Sequence, residues 1–529
     1  MSYASYTYLL FFLAPVFVLY TVFPKRVKWA VLLAASYIFY LINSGGLLIF
    51  LILTTAAVFL TGKFLNRIQD GFDLVKKSLE KEERRAFKAV IAKQKRTVIA
   101  VALIFVFGML FFLKYCNFFG DIFSSTFSVL GVSLRVPKFK LLLPLGISYY
   151  TLQAASYIID VYRGKYRASE NPFKVAIFLS FFPQIVEGPI GRFDLLADSL
   201  YEGHGFDYDN FTQGLQLIFW GLFKKLVIAD RANILVCSVF ENYKQYSGSF
   251  ILLAGVMYTV QIYAEFSGCM DIVTGSAQLF SVPLSKNFER PFFSRSVNEF
   301  WRRWHITLGA WLRDYVFYSI SLSKRFVALS RFTKKHFSEF LGTLLPAAFA
   351  LFFVWLCNGI WHGAGFKYIC YGMYYYLIML CGMLLEPLFA KTAALLHVNR
   401  DGFPFKVFAI LRTCAIVAVG MMLFRSESVG AWLYSLKTVF TDFGAASLNI
   451  QSIYGLGVDI QDLIIILVSV LAVFAVSLIQ EKGIEIRPCL ARQNIALRWA
   501  VYIVLIMSVV IFGAYGAGYE TVDFIYGQF

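Results

Sequence analysis

Apolar runs long enough to cross a membrane recur from one end of this chain to the other, and no other feature restricts its fold as severely. A hydrocarbon core about 30 Å thick takes roughly 17 to 25 helical residues. Eleven stretches stand out: Tyr6 to Phe23, Trp29 to Ile42, Leu47 to Thr61, Thr97 to Leu113, Phe211 to Ile228, Phe250 to Phe266, Leu341 to Trp361, Tyr368 to Leu388, Val407 to Phe424, Leu463 to Ile479 and Trp499 to Tyr515. Two further segments, Leu141 to Val161 and Phe173 to Val186, carry Pro, Gly and several hydroxyls. Hydrocarbon offers no partner to a backbone N–H or C=O, so spans of this kind are helices that bond within themselves. The expected fold is therefore all-α and polytopic, with about 11–13 transmembrane helices. The two interrupted segments are read as broken or re-entrant helices facing protein or water. With 59% hydrophobic and only 15% charged residues, a soluble fold has no support. The first run lacks a basic leader and a small-residue cleavage site, and is read as a retained span.

The formal net charge of +17 follows from basic loops. Lys63 to Arg96 holds eleven Lys or Arg against five acids in a helix-forming composition, which places it on the cytoplasmic side. Three spans precede it, so the N-terminus is expected outside the cytoplasm. Lys286 to Lys335 holds eleven Lys or Arg against three acids, mixed with Trp, Phe and Tyr. The region 286–337 is read as amphipathic helices on the cytoplasmic side. Glu481 to Arg498 reads as an ordinary cytoplasmic loop. Nucleic acid is not an expected partner, because loop charge in a membrane protein accounts for the balance. The eight cysteines show no metal spacing and read as small buried hydrophobes. No linker or tandem repeat divides the chain, so residues 1–529 are expected to form one membrane domain.

Chemistry narrows to two of five histidines. His362 closes the run Leu341 to Trp361, with Asn358 one helical turn before it and glycines at 359, 363 and 365. An ionisable group there normally faces the protein interior and serves a site; a histidine bonded at the membrane interface is the competing reading. His305 lies in Phe300-Trp301-Arg302-Arg303-Trp304-His305, where helical spacing puts Trp301, Trp304 and His305 on one face, flanked by Arg302 and Arg303. An interfacial anchor is the alternative for that helix. A buried imidazole suits general-base work on a hydroxyl, and acyl transfer needs such a base together with donors for the oxyanion. His362 fits the base, with Asn358 or Trp361 assisting. The chain has no Gly-x-Ser-x-Gly elbow, P-loop, nucleotide fingerprint or His-Glu-x-x-His motif.

At these motifs the chain resembles the membrane-bound O-acyltransferase family, in the branch of alginate O-acetyltransferases and teichoic acid D-alanyltransferases. The likeness rests on Phe181 to Phe193, Phe266-Ser267-Gly268, Lys286-Asn287-Phe288, Arg302 to His305, Trp311 to Tyr315, Asn358 to Ala364 and Phe524 to Phe529. Cys269-Met270-Asp271 departs from the family, where Tyr-Ser-Asp is more usual; Asp271 persists. The resemblance implies a ring of helices around a central tunnel, with His362 and His305 as the catalytic residues, His305 shaping or supporting the tunnel's cytoplasmic mouth. Trp304, Trp361, Asn358, Arg302, Arg303 and Asp271 are the implied supporting or tunnel residues.

It further implies an O-acyltransferase of the cell membrane that passes an acetyl group from a cytoplasmic thioester to an exported cell-surface polysaccharide. The donor, acetyl-CoA or an acyl carrier phosphopantetheine, is a substrate, and no tightly bound cofactor or metal is expected. Expected partners are membrane lipid, an extracytoplasmic acyltransferase, the polysaccharide acceptor and a cytoplasmic carrier protein. D-alanyl transfer to teichoic acid is the alternative within the same chemistry. A transporter or flippase, and a non-catalytic scaffold, are the alternatives of other classes; no inverted repeat supports the transporter.

Overall fold

The computed structural model describes residues 1–132 and 136–515, and every regular element among them is helical. Each of the eleven predicted apolar stretches falls mostly on helix, with Phe23 and residues 513–515 beyond the helix ends. By length and apolarity, eight helical stretches of the described residues can cross a membrane, and one of these, Lys25–Val75, contains two of the predicted segments. Thr7–Val22 is a shorter apolar helix. The basic stretch Lys63 to Arg96 is a hairpin of helices Leu48–Val75 and Lys81–Leu110. A capping box between Glu80 and Glu83 starts the second of these by satisfying otherwise orphaned N–H groups. The terminal block Phe524 to Phe529 lies outside the described residues.

The chain forms two compact units. One comprises Met1–Leu215 with Val273–Ser285, apart from the undescribed 133–135. Its core is aromatic: Tyr3 donates to the Phe182 carbonyl at 2.6 Å and stacks on Phe39 at 5.6 Å. The two interrupted segments become the helices Ile147–Arg163 and Pro172–Ser180, and both are mostly buried. At Gly146 the backbone is left-handed, and a Cβ would stand 1.9 Å from the Ile185 carbonyl oxygen, so only glycine fits.

The second unit comprises Gln216–Ile272 with the described residues from Lys286 onward. Glycines set its closest helix crossing. A Cβ at Gly359 would lie 2.4 Å from the Tyr368 carbonyl oxygen, and one at Gly372 would lie 2.2 Å from that of Trp355. The helices Glu339–His362 and Phe366–Leu395 therefore meet backbone to backbone, as small residues permit where water cannot drive helices together.

Charges buried in this unit are paired. Lys225, with 2% of its side chain exposed, contacts Asp230 at 2.8 Å and Glu265 at 3.2 Å. Lys224 meets Asp271 at 2.8 Å and donates to Ser267 at 2.9 Å. These pairs tie the π-helical turn Phe223–Ala229 to the helix Gly248–Leu279. Removing one member of such a pair strands the other in a medium that cannot solvate it.

Gly372→Leu should force the two glycine-bearing helices apart, with overpacking costing about 1–3 kcal/mol. A lowered thermal midpoint for the purified protein in detergent is the expected readout; an unchanged midpoint would contradict backbone-close packing at this crossing.

Candidate active site

The helix Glu339–His362 runs through its apolar residues and ends on His362, stopped by Gly363, where a Cβ would lie 2.3 Å from the Tyr368 ring. Both Asn358 and His362 are buried on its inner side. The Asn358 amide oxygen accepts no hydrogen bond among the described residues, which leaves an acceptor about one turn from the imidazole.

His305 arrives differently from the helical expectation. The helix Val297–Arg303 stops, Trp304 is extended, and His305 takes a left-handed φ of 47° before the next helix, Ile306–Leu312. Trp301, Trp304 and His305 are therefore not stacked on one continuous face. The cause is a pairing that outcompetes the helix: Phe288 and Trp304 form an antiparallel bridge, Glu289 N–H donates to the Arg303 carbonyl at 2.9 Å, and Ile306 N–H donates to that of Asn287 at 3.0 Å. A left-handed histidine is strained, and such strain persists only where the surroundings impose it.

Asn287, absent from the predicted site, fixes the His305 tautomer. Its side-chain oxygen accepts from the Thr307 N–H at 3.1 Å and the Thr307 hydroxyl at 2.9 Å, and lies 3.2 Å from His305 Nδ1. An oxygen that already takes a backbone N–H is an acceptor, so Nδ1 carries the proton and Nε2 is the basic nitrogen. The Asn287 amide nitrogen donates to the Met270 thioether at 3.1 Å, which gives the departing Met270 a place against the site.

Aromatic rings bring the two histidines together. Trp361 lies 5.6 Å from the His305 ring and 5.1 Å from the His362 ring. Phe266 meets His305 edge-on at 4.9 Å, while Tyr371 and Phe424 meet His362 edge-on at 5.7 and 5.4 Å. Each histidine is 3% exposed, and the other three, His204, His336 and His397, are not buried. Burial first, and the neighbouring His362 second, hold the His305 pKa well below its ordinary value, which keeps the imidazole neutral.

Of the remaining expected residues, Trp304 stacks on Phe300 and meets Phe288 edge-on, beside His305. Arg302 is exposed, and Arg303 pairs with Glu481 at 3.0 Å and Glu299 at 2.8 Å, so neither flanks an imidazole-bearing helix face as helical spacing suggested. Asp271 pairs with Lys224 on the helix that carries Phe266.

The family model of the membrane-bound O-acyltransferases matches residues 165–425. The probable alginate O-acetylase of Azotobacter vinelandii is 30% identical over 85% of this chain and 80% of its own length. This chain belongs to the membrane-bound O-acyltransferase family. Another relative, the probable alginate O-acetylase of Pseudomonas syringae pv. tomato, is 32% identical over 66% of this chain and 61% of its own length. The teichoic acid D-alanyltransferase of Bacillus subtilis is 28% identical over 55% of this chain and 71% of its own. The chain thus aligns with somewhat under two thirds of the Pseudomonas relative. Family membership and eight span-length apolar helical stretches among the described residues make it a multi-pass membrane protein.

A histidine whose folded pKa lies below its unfolded value, about 6.5, gives stability that is complete above that value and is lost as pH falls below it. The melting midpoint of the protein in detergent should therefore drop between pH 7.5 and 5. Asn287→Asp sets a carboxylate against Nδ1, raises the His305 pKa and should flatten that drop; an equally steep drop in the variant would refute the role given to Asn287.

Proposed function

We propose that the protein is an O-acyltransferase that moves an acetyl group from a cytoplasmic thioester toward a hydroxyl of an exported cell-surface polysaccharide. The observation that carries this reading is the pair of buried histidines on either side of Trp361, one at the end of a spanning helix and the other held as its Nδ1–H tautomer. Two relatives named as alginate O-acetylases favour acetyl as the group moved.

In this reaction His362 takes the proton of the attacking hydroxyl as its oxygen bonds to the thioester carbonyl carbon. The carbon–sulfur bond then breaks, and the proton passes to the departing thiolate, giving an ester and a thiol. Dry aromatic walls strengthen any hydrogen bond to the intermediate oxyanion. His305, neutral with Nε2 basic, supports the donor side. Asn358 and Trp361 assist beside His362, while Trp304, Arg302, Arg303 and Asp271 line or brace the approach from the basic region 286–337, where a phosphate-bearing donor is attracted. A helix-ringed tunnel joins the donor and acceptor sides, and the N-terminus lies outside the cytoplasm, as the basic hairpin 63–96 requires on the cytoplasmic side. The partners are a carrier protein or acetyl-CoA within and a second acyltransferase without. The relative named as a teichoic acid D-alanyltransferase supports D-alanyl transfer as the second reading.

His362→Ala should lower polymer acylation by about 10²–10⁴-fold at unchanged membrane levels of protein, with His305→Ala lowering it less. Mass spectrometry of surface glycans from a deletion strain carrying each variant measures this and distinguishes acetyl from D-alanyl esters. Wild-type ester content in the His362→Ala strain would sink the assignment.

A further inference from the structure

We infer that a cavity of about 470 Å³ in the second unit binds one hydrocarbon chain of a membrane glycerophospholipid, whose phosphate is held by Arg290. The cavity lies among the helices Gly248–Leu279, Phe403–Arg425 and Ile460–Glu481 and the turn Pro291–Phe293. Its volume falls within the roughly 300–1,000 Å³ range of ligand sites. It contains neither histidine, so it is separate from the site described above.

Three observations select the occupant. Val256, Leu411 and Phe474 line the cavity and are 48%, 63% and 53% exposed, and all three sit on helices of spanning length. The cavity therefore faces hydrocarbon, and an apolar hollow of this kind excludes water. Its lining is aliphatic and aromatic, with small side chains such as Ala415 and Ala418 leaving the space. Two cations also reach it, and they differ. Lys224 is spent on Asp271 and Ser267. Arg290 gives Nε to Glu481 at 2.6 Å and Nη2 to Glu289 at 3.5 Å, while its Nη1 has no partner among the described residues. Its backbone sits at a φ of 49°, a conformation few side chains other than glycine adopt, so the turn is strained at this residue. A guanidinium donor beside an apolar pocket matches a phosphate carried on a hydrocarbon chain.

The cavity wall is also the back of the active site. Tyr263 and Phe292 line it, and both rings pack on Trp304, at 6.0 and 6.4 Å, next to His305. A bound chain braces those rings from the lipid side.

The test uses the full-length protein extracted in mild detergent. Native mass spectrometry should find one phospholipid retained per chain in the wild type and none in Ala418→Phe, whose ring takes the place of the hydrocarbon. Delipidated wild type should gain thermal stability from added dioleoylphosphatidylethanolamine but not from its dihexanoyl counterpart, and Ala418→Phe should respond to neither. Equal retention in folded wild type and variant, no retained lipid in the wild type, or an equal response to the short-chain lipid would overturn the proposal. Ala415→Phe, at the exposed mouth, supplies the same comparison should Ala418→Phe fail to fold. Arg290→Gln should weaken phospholipid binding roughly tenfold while leaving uncharged monooleoylglycerol unaffected; equal weakening of both would remove the phosphate contact. None of these readouts depends on acyl transfer.

Discussion

Hydrocarbon cannot solvate a polar group, and the placement of every charged and titratable side chain discussed above follows from that. Lys225 is tolerated inside because two carboxylates meet it, and Lys224 because Asp271 and Ser267 do. All of these partners but Asp230 lie on the segment Glu265 to Asp271, which also carries Phe266, the ring set edge-on against His305. Ion pairing between two helical elements thus ties down the segment that forms one wall of the candidate site. A soluble protein could let such lysines snorkel to water; here, loss of alignment would leave charge without a partner.

The same constraint makes aromatic rings the natural lining. Two buried imidazoles need neighbours that fill space and offer ring faces without competing for protons. Trp361, Tyr371, Phe424 and Phe266 do so edge-on, at centroid distances within the range where such pairs are favourable. Polar contact is rationed to the places where orientation matters, as in the single Asn287 oxygen that serves Thr307 twice and His305 once.

Legibility in the sequence tracks the range of the forces involved. Spans are legible because each is a local run of apolar residues, and His362 because it closes one. The glycine at 359 belonged to the same signal, yet its partner at 372 becomes visible only when two helices are packed. His305 could be found but not oriented. Helical periodicity carries through Trp304, and it is overruled by a bridge to Phe288, a residue outside the period and sixteen positions earlier. Arg302 and Arg303 were consequently misassigned to the flanks of that face. Asn287 gave no signal of its own, being one asparagine in a basic loop, although it stands in a block that carries the family likeness. The pairing of Lys224 with Asp271 and of Lys225 with Glu265 is not legible in the sequence either, because these carboxylates lie far along the chain.

The two histidines are held by different means, and that difference bears on how the site can work. His362 is the last residue of a helix whose position is fixed by backbone-close glycine packing, so its imidazole moves only if a spanning helix moves. His305 sits on a strained turn between two helices of seven residues, fixed by one bridge and one asparagine. Trp361, on the spanning helix, packs against both imidazole rings. His362 thus ends a spanning helix while His305 sits on a strained turn, so in the proposed reaction the base stands on the stiffer of the two elements.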